Sequence, residues 1–240
     1  MQFRETTNRT GIVELLEDKT ETQSAVSSSY PLALKTRDIN LALDDYMLLA
    51  IESSGTWQVD DTNQTDYPII TTNVVANQQD YSFTVDETGN QILDIYRVEC
   101  KDNNGNWQLI LPYDENDEET ALSAQATTTG IPTRYSKTAN GIFLDKIPSY
   151  NSTNGLKIYF ARTSTYFTTS DTTKKPGIPN MFHRYLAYKP AYWYWLPKDS
   201  QRATLFKSEV DALELAIKNY HSTRTRDEKP RLRVRQESCR

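Results

Sequence analysis

Residues 130–183 read GIPTRYSKTANGIFLDKIPSYNSTNGLKIYFARTSTYFTTSDTTKKPGIPNMFH, and this stretch decides the fold. Short runs of branched and aromatic residues alternate here with turn-forming pairs. Asn140-Gly141 predicts a hairpin between strands at 133–138 and 142–146, because Asn and Gly tolerate the positive φ of tight turns. Asn154-Gly155 predicts a further hairpin before a strand at 156–165. A polar loop follows at 168–177, and Pro179 precedes a helix start near Asn180. A β-meander therefore hands over to helix within this one stretch.

Upstream the β signal continues back to Trp57. PIITTNVVA (68–76), DYSFTV (80–85), ILDIYRVECK (92–101) and WQLIL (107–111) are rich in branched and aromatic residues. The last two flank Asp102-Asn-Asn-Gly105, another hairpin turn. Many short strands with close turns predict a sandwich or barrel rather than a βαβ sheet. DENDEETALSAQA (114–126) interrupts the pattern and predicts a short helix with an acidic first turn.

Both ends of the chain are helical in pattern. Thr36 is expected to cap a helix over 36–53, with Asp38 in its first turn and Ile39, Leu43, Tyr46, Met47 and Ala50 on its apolar face. Gly55 is its expected stop. Before it, Gly11 to Glu17 predicts one or two helical turns, and Ser24 to Ser29 a polar linker. At the other end, 180–196 is strongly aromatic, and Pro190 is expected to kink or end that helix near Lys189. In the next helix Ala203, Phe206, Val210, Leu213, Ile217 and Tyr220 recur at three- and four-residue spacing. That is a narrow seam expected to face the 36–53 and 180–196 helices.

The fold class expected is α+β: a small helix bundle from both chain ends, an inserted antiparallel β-sandwich or barrel, and an extended C-terminal tail. The boundaries read as 1–56 for the N-terminal arm and helix, 57–177 for the β insertion, 178–221 for the C-terminal helices and 222–240 for the tail.

At 240 residues, with 37% hydrophobic content, the chain can bury a core of its own. Its 15 tyrosines suit half-buried positions and interfaces, as well as β-strands generally. Cys100 and Cys239 have no metal-type spacing, and with two histidines a His-based metal site is not expected. The opening MQFRETTNRT lacks the apolar core of a secretory signal. No apolar run reaches the roughly 18 residues of a membrane span. Synthesis in a cytosol is the expectation.

Charge is unevenly placed. From Ser222 to Arg240 seven bases face three acids, a balance of +4. The whole chain carries −5, which leaves −9 on the remainder. A basic tail on an acidic body marks an interaction segment.

Candidate chemistry is sparse. Asp114, Glu115, Asp117, Glu118 and Glu119 are the densest acids, but no apolar setting is visible to raise one pKa for glycoside hydrolysis, and the Ca²⁺-loop spacing is missing. A solvated edge is the favoured reading. His183 reads as a packed or capping residue. The aromatic run Tyr188 to Trp195 reads as bundle core rather than a stacking platform, since it falls on a helix. In the tail, Arg224 and Arg226 lead into Arg231, Arg233 and Arg235, which alternate with Leu232 and Val234, a pattern suited to β-strand addition onto another chain. The acidic body disfavours DNA as that partner.

GIP at 130–132 with Tyr135, Gly141 and Leu144, then LKIY at 156–159 with Arg162, then IPNMFH at 178–183, follow an order that resembles the head-to-tail adaptor (connector) proteins of tailed bacteriophages. The likeness covers most of the chain as an order of helix, β insertion, helices and tail; its specific part is 130–186. The chain departs from the family in keeping only Pro148 after the second strand and in placing Pro190 within a helix. The resemblance implies a virion structural protein at the head-tail junction, made in a host bacterium, without enzymatic activity or cofactor. Such proteins form a twelve-fold ring on the portal protein after DNA packaging, and carry the tail nozzle or tail fibres. DNA passes through the ring without specific binding, and there is no membrane role. By the same resemblance, Arg224, Arg226, Arg231, Leu232, Arg233, Val234 and Arg235 would anchor the tail to the portal, and Phe206, Val210, Leu213, Ile217 and Tyr220 would pack bundle and ring. The alternatives are a virion-associated carbohydrate-binding or peptidoglycan-degrading protein, and a monomeric β-sandwich binding module.

Overall fold

The computed structural model describes residues 1–22, 29–54, 69–86, 89–113, 127–138 and 140–224. It is mixed α+β, with four α-helices and one curled seven-stranded sheet among the described residues. The chain divides into two units, Met1–Phe3 with Gln58–Pro179 and Arg4–Trp57 with Asn180–Arg240.

The first unit holds the strands β1 (Ile69–Val74), β2 (Asp80–Ser82), β3 (Ile92–Lys101), β4 (Trp107–Pro112), β5 (Arg134–Thr138), β6 (Gly141–Leu144) and β7 (Ser152–Arg162). Their order is β1-β7-β3-β4-β5-β6-β2. Neighbours run antiparallel except β4 and β5, which are parallel at Leu111↔Arg134 and Pro112↔Tyr135. The curl follows from connectivity. β1 and β2 are the two edges of the sheet, yet they are consecutive in sequence. The six peptide steps from Val74 to Asp80 reach at most about 22 Å. Six inter-strand gaps in a flat sheet would separate the edges by about 29 Å. The sheet must bend into a half-barrel for the chain to connect. The sandwich or barrel expected from the sequence is thus a single curled sheet.

Its concave face is the core. Ile95, Val98, Cys100, Ile110, Tyr135, Ile142, Leu144, Leu156, Ile158 and Phe160 are buried together there. Bulges in β3 at Ile92/Asp94 and Ile95/Arg97 shift the register so that Ile95, Val98 and Cys100 all point inward. The chain's first residues join this unit: Phe3 stacks on Phe167 at 4.5 Å and its N–H donates to the Lys174 carbonyl at 2.7 Å.

The Asp102–Gly105 and Asn140-Gly141 turns join β3 to β4 and β5 to β6, as their residues predict. Asn154-Gly155 does not make a hairpin. It lies inside β7, which pairs with β1 and β3 on either side. Between Thr72↔Leu156 and Val74↔Ser152 the β7 side carries the extra residues of a bulge, with Asn154 at φ 49° and its N–H on Asn73 Oδ1. The positive φ that Asn favours is used, but to bend a strand rather than reverse it.

The second unit holds α1 (Ile12–Thr20), α2 (Leu32–Ser54), α3 (Tyr185–Trp195) and α4 (Ser200–Arg224). α4 packs on α2 and α3, α2 packs on α3, and α1 packs chiefly on α3. Four expectations are corrected here. The α2 helix starts at Leu32, not Thr36, because the Pro31 carbonyl accepts the first N–H bonds, from Leu34 and Lys35; Thr36 sits inside and turns its hydroxyl back to the Leu32 carbonyl. α1 runs through Thr20 and closes on Glu21 at φ 56°. α3 does not end near Lys189 but runs on through Pro190 to Trp195. The proline forfeits one backbone bond, but Tyr185, Leu186, Ala187, Pro190 and Ala191 bury one face of the helix, and that packing holds it. Finally, α4 extends three residues beyond His221, to Arg224, where an extended tail is expected from 222. Its start is set by Asp199, whose carboxylate caps the N–H groups of Gln201 and Arg202 at 3.0 and 3.1 Å. The expected features at Gly55, at 114–126 and from 225 to 240 fall outside the described residues.

Candidate functional site

The α4 seam closes the helical unit. Val210, Leu213 and Ile217 are buried, while Phe206 and Tyr220 are half-buried at either end. Phe206 meets the Tyr188 ring edge-on, and Tyr220 meets Phe182 and His221 the same way. His221 is fully buried and shares a 2.8 Å hydrogen bond with the Tyr46 hydroxyl, across 175 residues of chain. The Tyr185 hydroxyl and the Lys189 ammonium both donate to Glu214, at 3.1 and 2.6 Å. Burial raises the Tyr185 pKa, and the Glu214 charge adds to it. These groups are mutually engaged and serve packing. His183, also buried, sits in the same helical unit.

The aromatic run does not behave as one block. Its first part is core, but Tyr192, Trp193, Tyr194 and Trp195 are only half-buried. Trp195 is tied down through its indole N–H to the Lys19 carbonyl at 3.0 Å. Trp193 and Tyr194 instead line an open groove of about 450 Å³ with Tyr30, Arg37, Asp38, Leu41, Pro197 and Lys198. The Tyr30 and Tyr194 rings stack at 4.9 Å, and the Lys198 ammonium lies 3.4 Å from the Tyr194 ring centre. The Tyr30 hydroxyl donates to Asp38 Oδ2 at 2.8 Å, and the Arg37 guanidinium holds Oδ1 at 2.8 Å. Burial and the Asp38 bond raise the Tyr30 pKa. Sequence reasoning gives Trp193 and Tyr194 to the core because their groove partners, Tyr30 and Leu41, lie on a distant segment. The fully spaced leucines of α2 are the signal that could have pointed there. Leu34, Leu41 and Leu48 are exposed at 37%, 48% and 58%, seven residues apart on one face.

A second apolar surface lies on the convex face of the sheet. Trp107, Leu109 and Leu111 alternate along β4 with buried Ile110 and remain exposed. The Lys157 and Lys101 ammonium groups stand 4.2 and 4.8 Å from the Trp107 ring centre.

Other expectations place themselves simply. Cys100 is buried beside the Tyr150 hydroxyl at 3.7 Å, and burial pushes its thiol pKa up. Arg162 is buried in an ion pair with Asp86. Among the described residues no three His, Cys, Asp or Glu side chains cluster as a metal site, and no helix is long and apolar enough to cross a membrane. Arg226, Arg231, Leu232, Arg233, Val234, Arg235, Cys239 and the acids of 114–119 lie outside the described residues, as does the side chain of Arg224. Comparison with protein-family models and with curated proteins finds no match for this chain.

Proposed function

We propose that the chain is a structural virion subunit: a head-to-tail adaptor that assembles as a ring, twelve-fold in its expected form, on the portal protein and joins the DNA-filled capsid to the tail. The observation that carries this reading is the order of the chain. Arg4–Trp57 and Asn180–Arg240 build one helical unit, Gln58–Pro179 of the β unit is inserted between them, and α4 leads at Arg224 into the basic segment. Two exposed apolar faces, the Leu34–Leu41–Leu48 line and the Trp107–Leu109–Leu111 stripe, suit a subunit that contacts neighbouring copies and tail nozzle or fibre proteins. The acidic balance outside the tail suits a channel through which DNA slides without being gripped. In this reading Arg224, Arg226, Arg231, Leu232, Arg233, Val234 and Arg235 dock on the portal.

The test is electron microscopy of the chain mixed with a phage portal protein from the same source. Rings stacked on the portal are expected, and a chain ending at Arg224 should fold but fail to bind. Absence of rings with the full chain rejects the adaptor reading. Equal binding by the shortened chain rejects only the tail anchor.

A further inference from the structure

The groove between α2 and the end of α3 has a charge balance that its own residues leave open. Its one carboxylate, Asp38, is 9% exposed and has both oxygens engaged, Oδ2 by the Tyr30 hydroxyl and Oδ1 by Arg37. Lys198 has no carboxylate partner among the described residues; its ammonium rests on the Tyr194 ring instead. Arg37 binds Asp38 through Nε and Nη2, and its side chain stays 62% exposed, so further guanidinium N–H donors face solvent. Two cations therefore flank an apolar floor made by Leu41, Trp193 and Pro197. Its volume of about 450 Å³ is in the range of sites that take a small ligand or a few peptide residues.

We propose that this groove docks a short acidic peptide segment of a partner protein. An aliphatic side chain of the peptide sits against Leu41, Trp193 and Pro197, and an adjacent carboxylate takes hydrogen bonds from Lys198 and Arg37. The chemistry selects this occupant. A basic peptide would meet Lys198 and Arg37 with like charge, while a purely apolar one would leave the Lys198 ammonium desolvated without a counter-ion. The stacked Tyr30–Tyr194 pair and the Tyr30–Asp38 bond fix the wall before the ligand arrives, which limits the ordering cost of binding. This proposal rests on the helical unit alone and does not depend on the adaptor reading.

Fluorescence anisotropy with four labelled pentapeptides tests it: Glu-Glu-Leu-Glu-Glu, Ser-Ser-Leu-Ser-Ser, Lys-Lys-Leu-Lys-Lys and Glu-Glu-Ser-Glu-Glu. The first should bind the full chain at least about tenfold more tightly than any other, the effect of one charge-assisted hydrogen bond or one buried aliphatic side chain. Lys198→Glu should reverse the order of the glutamate and lysine peptides, and Leu41→Asp should abolish leucine selectivity. Leu205→Asp, at an exposed position on α4, should change nothing. Because Lys198 is exposed, its reversal tests the site even if Leu41→Asp disturbs α2. Equal affinity for all four peptides, no measurable binding, or unaltered selectivity in Lys198→Glu overturns the proposal.

Discussion

Asp86 and Arg162 form an ion pair of 2.5 Å in which the two side chains are 1% and 3% exposed. Asp86 also accepts the Asn90 N–H on Oδ1 at 2.8 Å and the Asn90 amide on Oδ2 at 3.3 Å, so one carboxylate ties the β2–β3 connection to the end of β7. A buried charge that loses its partner is left unsolvated, which costs about 3–5 kcal/mol. Arg162→Met and Asp86→Ala should each lower the stability of the β unit by an amount of that order. The double variant should lose clearly less than the sum, because no lone charge remains. Urea denaturation of the four chains in the cycle measures the coupling, and strict additivity would show that the pair contributes nothing jointly.

The same turn is built twice. Asp86–Asn90 and Asp102–Asn106 share the pattern Asp-x-x-Gly-Asn, and in both the Asp N–H donates to the Asn carbonyl, the Gly N–H to the Asp carbonyl and the Asn N–H to the Asp carboxylate. Gly105 sits at φ 84° with open space where a Cβ would be. Gly11 has an ordinary φ of −76°, but a Cβ there would fall 2.0 Å from Glu14 Oε2 and 2.5 Å from the Glu5 nitrogen. The two glycines are needed for opposite reasons. Gly105→Ala should cost about 1 kcal/mol in backbone strain, and Gly105→Asn should recover much of it. At Gly11, Ala and Asn should both destabilise, because the obstacle is space. Thermal unfolding of the four variants checks this, and recovery by Gly11→Asn would refute it.

These turns also show how much of the fold was legible. Gly105 and Asn140-Gly141 act locally, so their residues suffice to place a hairpin. Asn154-Gly155 has the same local preference, but its outcome depends on β1, eighty residues earlier, pairing alongside β7. Strand order is set by such distant pairings and by the short β1–β2 link, neither of which has periodicity to read. In the helices the α4 seam was legible because burial repeats every three to four residues. Pro190 does not end α3, because tertiary packing outweighs one lost backbone bond. The groove was the least legible part: Trp193 looks like core until Tyr30 and Leu41 are brought opposite it.

Several tyrosines resist ionisation in the folded chain. Burial raises the pKa of Tyr30 and Tyr185, each hydrogen-bonded to a carboxylate, and pushes Tyr96 up to about 12 beside Asp94. In the unfolded chain these hydroxyls ionise near 10. The folded pKa is the higher, so the stability contribution is fully present below about pH 10 and is lost as pH rises above it. The urea midpoint should hold from pH 8 to pH 9.5 and fall steeply by pH 11, with the share of tyrosinate absorbance that belongs to these buried hydroxyls appearing only on unfolding. Tyr30→Phe and Tyr185→Phe should flatten that fall, and an unchanged slope in both would contradict the assignment.

Cys100 is 1% exposed, and its thiol is held protonated by burial, with the Asp102 charge adding to the effect. The thiolate is the nucleophile, so both access and reactivity are suppressed. In a Cys239→Ser chain at pH 8, iodoacetamide should leave Cys100 unmodified until urea is added. Rapid native labelling, followed by mass spectrometry, would show that the curled sheet opens more readily than its packing implies.

The Tyr46–His221 hydrogen bond separates the two units experimentally. Both side chains are fully buried, and the bond joins α2 to the last turns of α4 within the helical unit. Tyr46→Phe preserves the ring's contacts with Phe182 and Tyr185 but leaves the imidazole without its hydroxyl partner, a loss of about 1–3 kcal/mol. Trp107 reports on the β unit, while Trp193 and Trp195 report on the helical unit. In chains that retain one reporter at a time, Tyr46→Phe should lower the urea midpoint seen by Trp193 or Trp195. The midpoint seen by Trp107 should stay fixed if the units unfold independently, and should fall in parallel if they unfold as one. Leu213→Ala, which removes seam packing at a cost of about 2–5 kcal/mol, should shift the same reporters further in the same pattern. A shift confined to Trp107 in either variant would place these residues outside the helical core.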